Sequence, residues 1–179
     1  QTVQQYKGAT VEKSKLIGLL FGAWNDLDRV LDGLDPAEAT QQSAGSSSYA
    51  WTVAHLANQV DSWANVRIGQ KSPHEYISQE RFRFGGTGAA DDWQAIQKAA
   101  FEVRETARGY LEAVDDADLN TVVPYEGSIA RFRESGINLR YALIRMCAHH
   151  YFHIGEIATK RDLRGQRVGD YPGLLEECL

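Results

Sequence analysis

The segment RMCAHHYFHIGEI, residues 145–157, lies near the C-terminal end of the 179-residue chain and sets two histidines in an otherwise apolar helical pattern. A helix turns by about 100° per residue, so His149 and His153 project from the same face, one turn apart. Imidazoles at this spacing can bind one metal ion because both side chains reach the same point. Two ligands hold a metal weakly, so the segment predicts that a third ligand comes from another part of the chain.

The helix that contains this segment is predicted to run from Ser135 to about Leu163, and it is apolar on most of its faces. Such a pattern is typical of a central helix in a bundle. On the helical wheel, Arg145 and Glu156 fall within the same wedge of roughly 80° as His149 and His153. Burying these polar groups without partners would cost several kcal/mol, so the wedge predicts a ligand-binding site.

Residues 17–34 and 93–114 have apolar residues at alternating spacings of three and four, which predicts two amphipathic helices, and a third helix is predicted between them, from about Tyr49 to Ile68. The expected N-caps of these helices are Thr10, Ser47 or Ser48, and Asp91. The connections between helices are predicted at residues 36–48, 70–90 and 119–135, the last as a short extended excursion before the final helix. With almost no strand pattern, residues 1–179 are predicted to form a single all-α domain, a four-helix bundle.

His55 is the strongest candidate for the third ligand among the five histidines of the chain. His74 follows a proline in a predicted loop, and His150 points about 100° away from His149. His55 lies on the second predicted helix, one turn after Trp51, among apolar neighbours. Three neutral imidazoles leave a coordination position open, as in catalytic zinc sites, where a bound water or thiol becomes a nucleophile near neutral pH.

The composition excludes several other functions. The net charge of −5 gives no reason to expect nucleic acid or an anionic membrane as a partner. No apolar run approaches the roughly 20 residues that span a bilayer, and residues 1–10 lack the apolar core of a signal peptide. Cys147 and Cys178 are too few for a disulfide framework, which favours a reducing, cytoplasmic location.

The segments WTVAHLA, residues 51–57, and HHYFHIGEI, residues 149–157, resemble the DinB-like (DinB/YfiT) superfamily. Members of that family carry a tryptophan-and-histidine second helix and an H-x-x-x-H-x-G-[QE]-[IL] fourth helix. The resemblance extends from the first helix to Gly165. It implies a four-helix bundle with an up-down-down-up course and a site for a divalent metal, often zinc or nickel. The implied ligands are His55, His149 and His153.

The same resemblance implies kinship with thiol transferases and isomerases that use bacillithiol, mycothiol or glutathione. The leading hypothesis is therefore a metal-dependent S-transferase that activates a low-molecular-weight thiol for attack on a small-molecule substrate. Arg145 and Glu156 are the predicted catalytic residues: Arg145 would steer an anionic group, and Glu156 would orient a ligand or move a proton. Glu156 stands where the family often has glutamine; this departure could add a proton acceptor or a hydrogen-bond partner for a metal ligand.

Two alternatives stay open at this point. One is a metal-dependent hydrolase, in which water takes the open position. The other is a non-enzymatic, metal-stabilised bundle, for which a homodimer or a stress-response partner is conceivable. Two other metal-site types are set aside. His150 replaces the glutamate of the H-E-x-x-H metalloproteases, and the paired Glu-x-x-His motifs of di-iron bundles are missing.

Overall fold

The computed structural model describes residues 14–42 and 45–178, which form an all-α bundle as predicted. The α-helices in these ranges are α1 (Lys15–Leu31), α2 (Pro36–Thr40), α3 (Tyr49–Val60), α4 (Trp93–Leu111), α5 (Ala130–Ser135) and α6 (Leu139–Asp162). A π-helix, Asp61–Ile68, continues α3 without interruption. Among the residues described, no helix is both long enough and apolar enough to cross a membrane.

Four helices, α1, α3, α4 and α6, bury the apolar stripes that the sequence predicts. α1 packs mainly against α6, and α3 packs against α4 and α6. Leu20, Leu56, Ile96 and Leu143 come from these four helices and are almost completely buried. Burial of one such side chain contributes roughly 1.5–3 kcal/mol, so the shared core holds the helices that carry the histidines.

The environment of α6 differs from the prediction of a helix buried on nearly all sides. Ile144 is 52% exposed and Phe152 is 70% exposed, whereas Leu143 and Met146 are completely buried. α6 therefore turns one broad side to the core and leaves the other in solvent. The sequence does not predict which side is exposed, because apolar residues occur on both sides of α6 and the pattern reports hydrophobicity rather than burial.

Several helix ends differ from their predicted positions. The predicted cap Thr10 lies outside the described residues, and the side chain of Ser14 caps α1 by accepting from the amide of Leu16. Asp92, rather than Asp91, caps α4. α2 occupies part of the predicted loop 36–48, because Asp35 accepts from two amides at its first turn.

Residues 119–138 contain the predicted extended excursion. β1 (Val122–Val123) pairs antiparallel with β2 (Ile137–Asn138), and α5 lies between the two strands. α6 begins at Leu139 rather than at Ser135, with Asn138 as its N-cap. Gly136 explains the difference: its φ of 68° is a left-handed backbone conformation, so a helix that began at Ser135 would end there.

The connection between the π-helix and α4 is packed onto α3 instead of crossing solvent. Ile77 and Phe82 are completely buried. Asn58 donates to the carbonyl of Ile77 at 2.8 Å, and Trp51 Nε1 donates to the carbonyl of Arg81 at 2.7 Å. These bonds place the backbone of residues 80–82, a short 3₁₀ turn, beside the middle of α3.

Candidate metal centre

The structure brings together the three histidines that the sequence predicts as ligands. His55 extends from α3, and His149 and His153 extend from α6, with one potential ligand atom of each within 4.8 Å of the others. The Nε2 atoms of His55 and His149 are 3.0 Å apart. His55 and His153 are buried and His149 is half-buried. This histidine cluster, defined as His55, His149 and His153, could hold a metal ion.

Hydrogen bonds fix which nitrogen of two rings carries the proton. Nδ1 of His55 lies 2.8 Å from the carbonyl oxygen of Phe82, and Nδ1 of His153 lies 2.7 Å from Oε2 of Glu156. A carbonyl and a carboxylate only accept, so both Nδ1 atoms are donors. In the neutral imidazole, Nε2 then has the lone pair that a metal requires.

The geometry of the cluster fits a bound cation. Nδ1 of His55 is the protonated nitrogen, so Nε2 of His55 has a lone pair. This lone pair faces Nε2 of His149, and either a proton or a cation must lie between the two nitrogens. Two imidazoles on a tetrahedral zinc ion have their nitrogens about 3.3 Å apart, given Zn–N bonds of about 2.05 Å. The observed 3.0 Å differs from this separation by only a few tenths of an ångström.

The electrostatic environment favours neutral imidazoles, the form that binds metals. Burial lowers the pKa of His149 to about 4, and the nearby charges of His153, His55 and Arg145 act in the same direction. Burial also lowers the pKa of His55, although its hydrogen bond to the Phe82 carbonyl opposes the shift. Both rings are therefore prepared for coordination without first losing a proton near neutral pH.

Glu156 is held as an ion beside His153. Its pKa is lowered to about 2, first by the hydrogen bond from His153 and then by Lys160, against the opposing effect of burial. Oε1 accepts from Nζ of Lys160 and from Oγ of Ser47 at 3.3 Å. Lys160 also donates to the carbonyl of Ser47 at 3.0 Å. The carboxylate thus connects α6 to the loop before α3 and orients the His153 ring.

A small cavity adjoins the cluster through Trp51, whose ring stacks on His55 at 4.8 Å between centroids and 6° between planes. The cavity has a volume of about 560 Å³. Its walls are polar and come from two loops, with Trp51 as the aromatic side: Gln42, Gly45, Ser46, Ser47, Gly86, Thr87 and Gly88. This volume lies in the range of small-molecule sites.

Arg145, the other predicted catalytic residue, lies one turn before His149 on α6 and is exposed. Its guanidinium carbon is 5.0 Å from the centre of the Trp63 ring. The structure therefore places Arg145 beside the histidine cluster, where it contributes to the field on His149. The catalytic roles assigned to Arg145 and Glu156 stay predictions.

Sequence reasoning missed three contributors to the site. Phe82 enters through its backbone carbonyl, which has no signature in the sequence. Ser47 was weighed only as a helix cap, yet its hydroxyl contacts Glu156. Lys160 had a detectable signal, because a lysine four residues after a glutamate on a helix is a favourable ion pair.

His150 lies outside the cluster, as its angle on the helix predicts. It is completely buried, and its Nδ1 donates to the carbonyl of Met146 at 2.8 Å. Burial lowers its pKa to about 3, so it is neutral in the folded protein at any physiological pH. His150 is thus a core residue that folding keeps unprotonated.

The buried His150 is expected to make the metal-free protein less stable in acid. The unfolded chain binds a proton at this ring near pH 6.5, whereas the folded protein does so only near pH 3. Stability should therefore fall as the pH drops below 6.5, with this residue contributing up to about 1.4 kcal/mol per pH unit. Urea denaturation from pH 7 to pH 4.5 should show a flatter dependence for His150→Gln than for wild type. Parallel curves for the two proteins would contradict this assignment.

An all-α bundle with a three-histidine cluster between α3 and α6 defines the class of protein. A family model of the DinB superfamily matches residues 20–157. The chain belongs to the DinB superfamily. A crystal structure described as "the conserved protein of locus from Enterococcus faecalis" superposes with a TM-score of 0.60 at 14% identity, covering 83% of this chain and 94% of that one. At this identity, the likeness shows the fold alone. No curated protein matches the chain significantly.

Proposed function

We propose that this chain is a metal-dependent S-transferase that activates a low-molecular-weight thiol at the histidine cluster. The observation that carries the proposal is the fixed protonation of His55 and His153, whose Nδ1 atoms donate to the Phe82 carbonyl and to Glu156. A zinc or nickel ion bound by three imidazoles keeps an open position and lowers the pKa of a thiol that occupies it.

The protein's own groups have distinct roles in this proposal. The cavity lined by Trp51 receives the body of the thiol, because it is polar and Trp51 in its wall stacks on His55. The thiol proton leaves to solvent, the sulfur forms a bond to an electrophilic carbon of the acceptor, and the displaced group departs with its electron pair. Trp51 covers one face of His55 and keeps water from that side of the cluster.

Of the two roles predicted for Glu156, the proposal retains the orienting one. A carboxylate with a pKa of about 2 is a weak proton acceptor near neutral pH. Its oxygens already accept from His153, Lys160 and Ser47. Glu156 is therefore proposed as a positioning residue that fixes the His153 ring and acts on the reaction through it.

Conjugation of thiols to monochlorobimane tests the proposal. Zinc- or nickel-loaded protein is expected to accelerate the appearance of the fluorescent conjugate with bacillithiol, mycothiol or glutathione, and to do nothing without a thiol. His149→Ala should abolish this acceleration, while His74→Gln, a histidine outside the cluster, should retain it. Hydrolysis of an ester without thiol would favour the hydrolase alternative. A large fall in melting temperature on metal removal, with no turnover of either substrate, would favour a structural site.

A further inference from the structure

Two arginines share one tryptophan next to the histidine cluster. The π-helix contributes Trp63 and Arg67, and α6 contributes Arg145. The guanidinium carbons of Arg67 and Arg145 each lie 5.0 Å from the centre of the Trp63 ring. Arg67 also lies 5.3 Å from the centre of the Tyr125 ring. We call Arg67 and Arg145 the arginine pair.

The backbone that carries Trp63 and Arg67 has an unusual form. π-helical hydrogen bonding is rare, and it is frequently found at functional sites. The stretch is anchored on both sides: Asn65 donates to the carbonyl of Val103 at 3.0 Å, and Asp61 accepts from the amide of His74 at 3.0 Å. These bonds hold the backbone that carries Trp63 and Arg67 in place.

The arginine pair lacks the carboxylate partners that the other ring-stacked arginines of the described residues have. Within residues 14–42 and 45–178, no carboxylate lies within 4.0 Å of Arg67 or Arg145. Other arginines that stack on aromatic rings in these ranges each have one: Arg29 with Asp26, Arg81 with Asp91, Arg104 with Asp28, Arg108 with Glu105 and Arg164 with Glu38.

The positive charge of Arg67 is partly desolvated, whereas Arg145 is exposed. Arg67 is half-buried: its Nη1 donates to the carbonyl of Ser62 at 2.7 Å and to the Ser62 hydroxyl, and a side-chain hydrogen bond joins it to Tyr125, so only the remaining donors of its guanidinium can meet a ligand. Burial lowers the pKa of the Arg67 guanidinium; Tyr125 opposes this shift through its hydrogen bond and its charge, and the positive charges of Arg83 and Arg145 lower the pKa further. A bound anion would relieve this repulsion.

We propose that Arg67 and Arg145 form an oxyanion subsite that holds a carboxylate or phosphate group of the small-molecule substrate. The guanidinium fork of Arg145, which lies over Trp63, matches the two oxygens of these groups, and the remaining donors of Arg67 add a further contact. Arg145 precedes His149 by one helical turn, a rise of about 6 Å, so an anchored anion lies within a small molecule's length of the cluster. The assignment of this anion to a thiol or its acceptor rests on the proposed function, whereas the binding of the anion does not.

Direct titration tests the subsite. Metal-free protein, freed of chelator, is titrated with succinate and with inorganic phosphate at constant ionic strength, with tryptophan fluorescence and calorimetry as readouts. Wild type should bind at least one of them saturably, at least tenfold more tightly than Arg145→Gln. Tighter binding of succinate indicates a carboxylate on the substrate, and tighter binding of phosphate indicates a phosphorylated one.

Arg108→Gln is the matched control, because Arg108 also stacks on a tryptophan but is paired with Glu105. It should bind both anions like wild type. The proposal is overturned if neither anion saturates, if Arg145→Gln binds as well as wild type, or if Arg108→Gln is weakened equally. Arg145 is exposed, so its variant tests the subsite even if Arg67→Gln does not fold.

The titration separates this proposal from the proposed function, since it needs neither metal nor turnover. If the protein binds an anion saturably through Arg145 but conjugates no thiol, the oxyanion subsite is supported and the S-transferase function is contradicted. If the protein conjugates a thiol but binds neither anion, the S-transferase function is supported and the oxyanion subsite is contradicted.

Discussion

Replacing His149 by alanine is expected to weaken zinc binding by at least about 100-fold. Loss of a group that only supports a metal ligand costs 10–100-fold in affinity, and loss of a ligand itself should cost more. His149 is the ring whose Nε2 lies 3.0 Å from that of His55, so its removal opens the centre of the cluster to water. Competition with a chromophoric chelator measures the affinity, and metal analysis after gel filtration measures the bound ion.

The matched control for this substitution is His74→Gln. His74 lies in the connection before α4, with Nε2 3.1 Å from a carboxylate oxygen of Glu102, and belongs to no metal cluster among the residues described. It should bind zinc like wild type. Saturating zinc at about 100 times its dissociation constant should add about 2.7 kcal/mol to the stability of wild type and of this control, but not to that of His149→Ala. Equal zinc affinity in wild type, His74→Gln and His149→Ala would contradict the assignment of His149 as a zinc ligand.

Replacing Glu156 by alanine is expected to weaken zinc binding by about 10–100-fold, although Glu156 need not contact the metal. Alanine removes the oxygen that accepts from Nδ1 of His153 at 2.7 Å, so the ring loses its fixed orientation and tautomer. Glu156→Gln keeps an acceptor oxygen and should lose only a few-fold. The chelator competition that measures the first prediction also ranks these variants.

Lys160→Met tests whether the ion pair of Glu156 with Lys160 contributes to zinc binding, apart from the hydrogen bond of Glu156 with His153. This variant removes the ion pair of Lys160 with Glu156 but leaves the His153 contact, so zinc affinity should change less than in Glu156→Ala. If Glu156→Gln weakened zinc as much as Glu156→Ala, the negative charge rather than the acceptor would be responsible. Unchanged affinity in Glu156→Ala would contradict any role of Glu156 in positioning His153.

The positions of the helices and the proximity of His149 and His153 could be predicted from the sequence for the same physical reason. A helix is a periodic object, so spacing along the chain translates into position in space, as for His149 and His153. The choice of His55 added the apolar setting of its helix and the resemblance to a known family. The hydrogen-bond partners of the ligands differ in this respect: the partner of His55 is a backbone carbonyl 27 residues away, and a backbone carbonyl cannot be predicted from any residue type.

Other features were hidden because they depend on local departures from regular helix. Residues 49–68 have one apolar pattern, so the change from α-helix to π-helix at Asp61 leaves no trace in their periodicity. The contact of Arg67 and Arg145 with the same Trp63 ring joins two helices that are far apart in the sequence, so no local pattern predicts it. The start of α6 was misplaced because Ser135 is a good cap by type, while Gly136 turns the backbone away.

The bond from His55 to the Phe82 carbonyl bears on how this site can be altered. A carbonyl is present whatever residue occupies position 82, so the orientation of His55 depends on the path of the connection and not on its side-chain chemistry. Buried Ile77 and Phe82 maintain that path. Exposed neighbours such as Arg83 and Phe84 are therefore open to randomisation in a directed-evolution library, which would vary the rim of the site while conserving its ligand geometry.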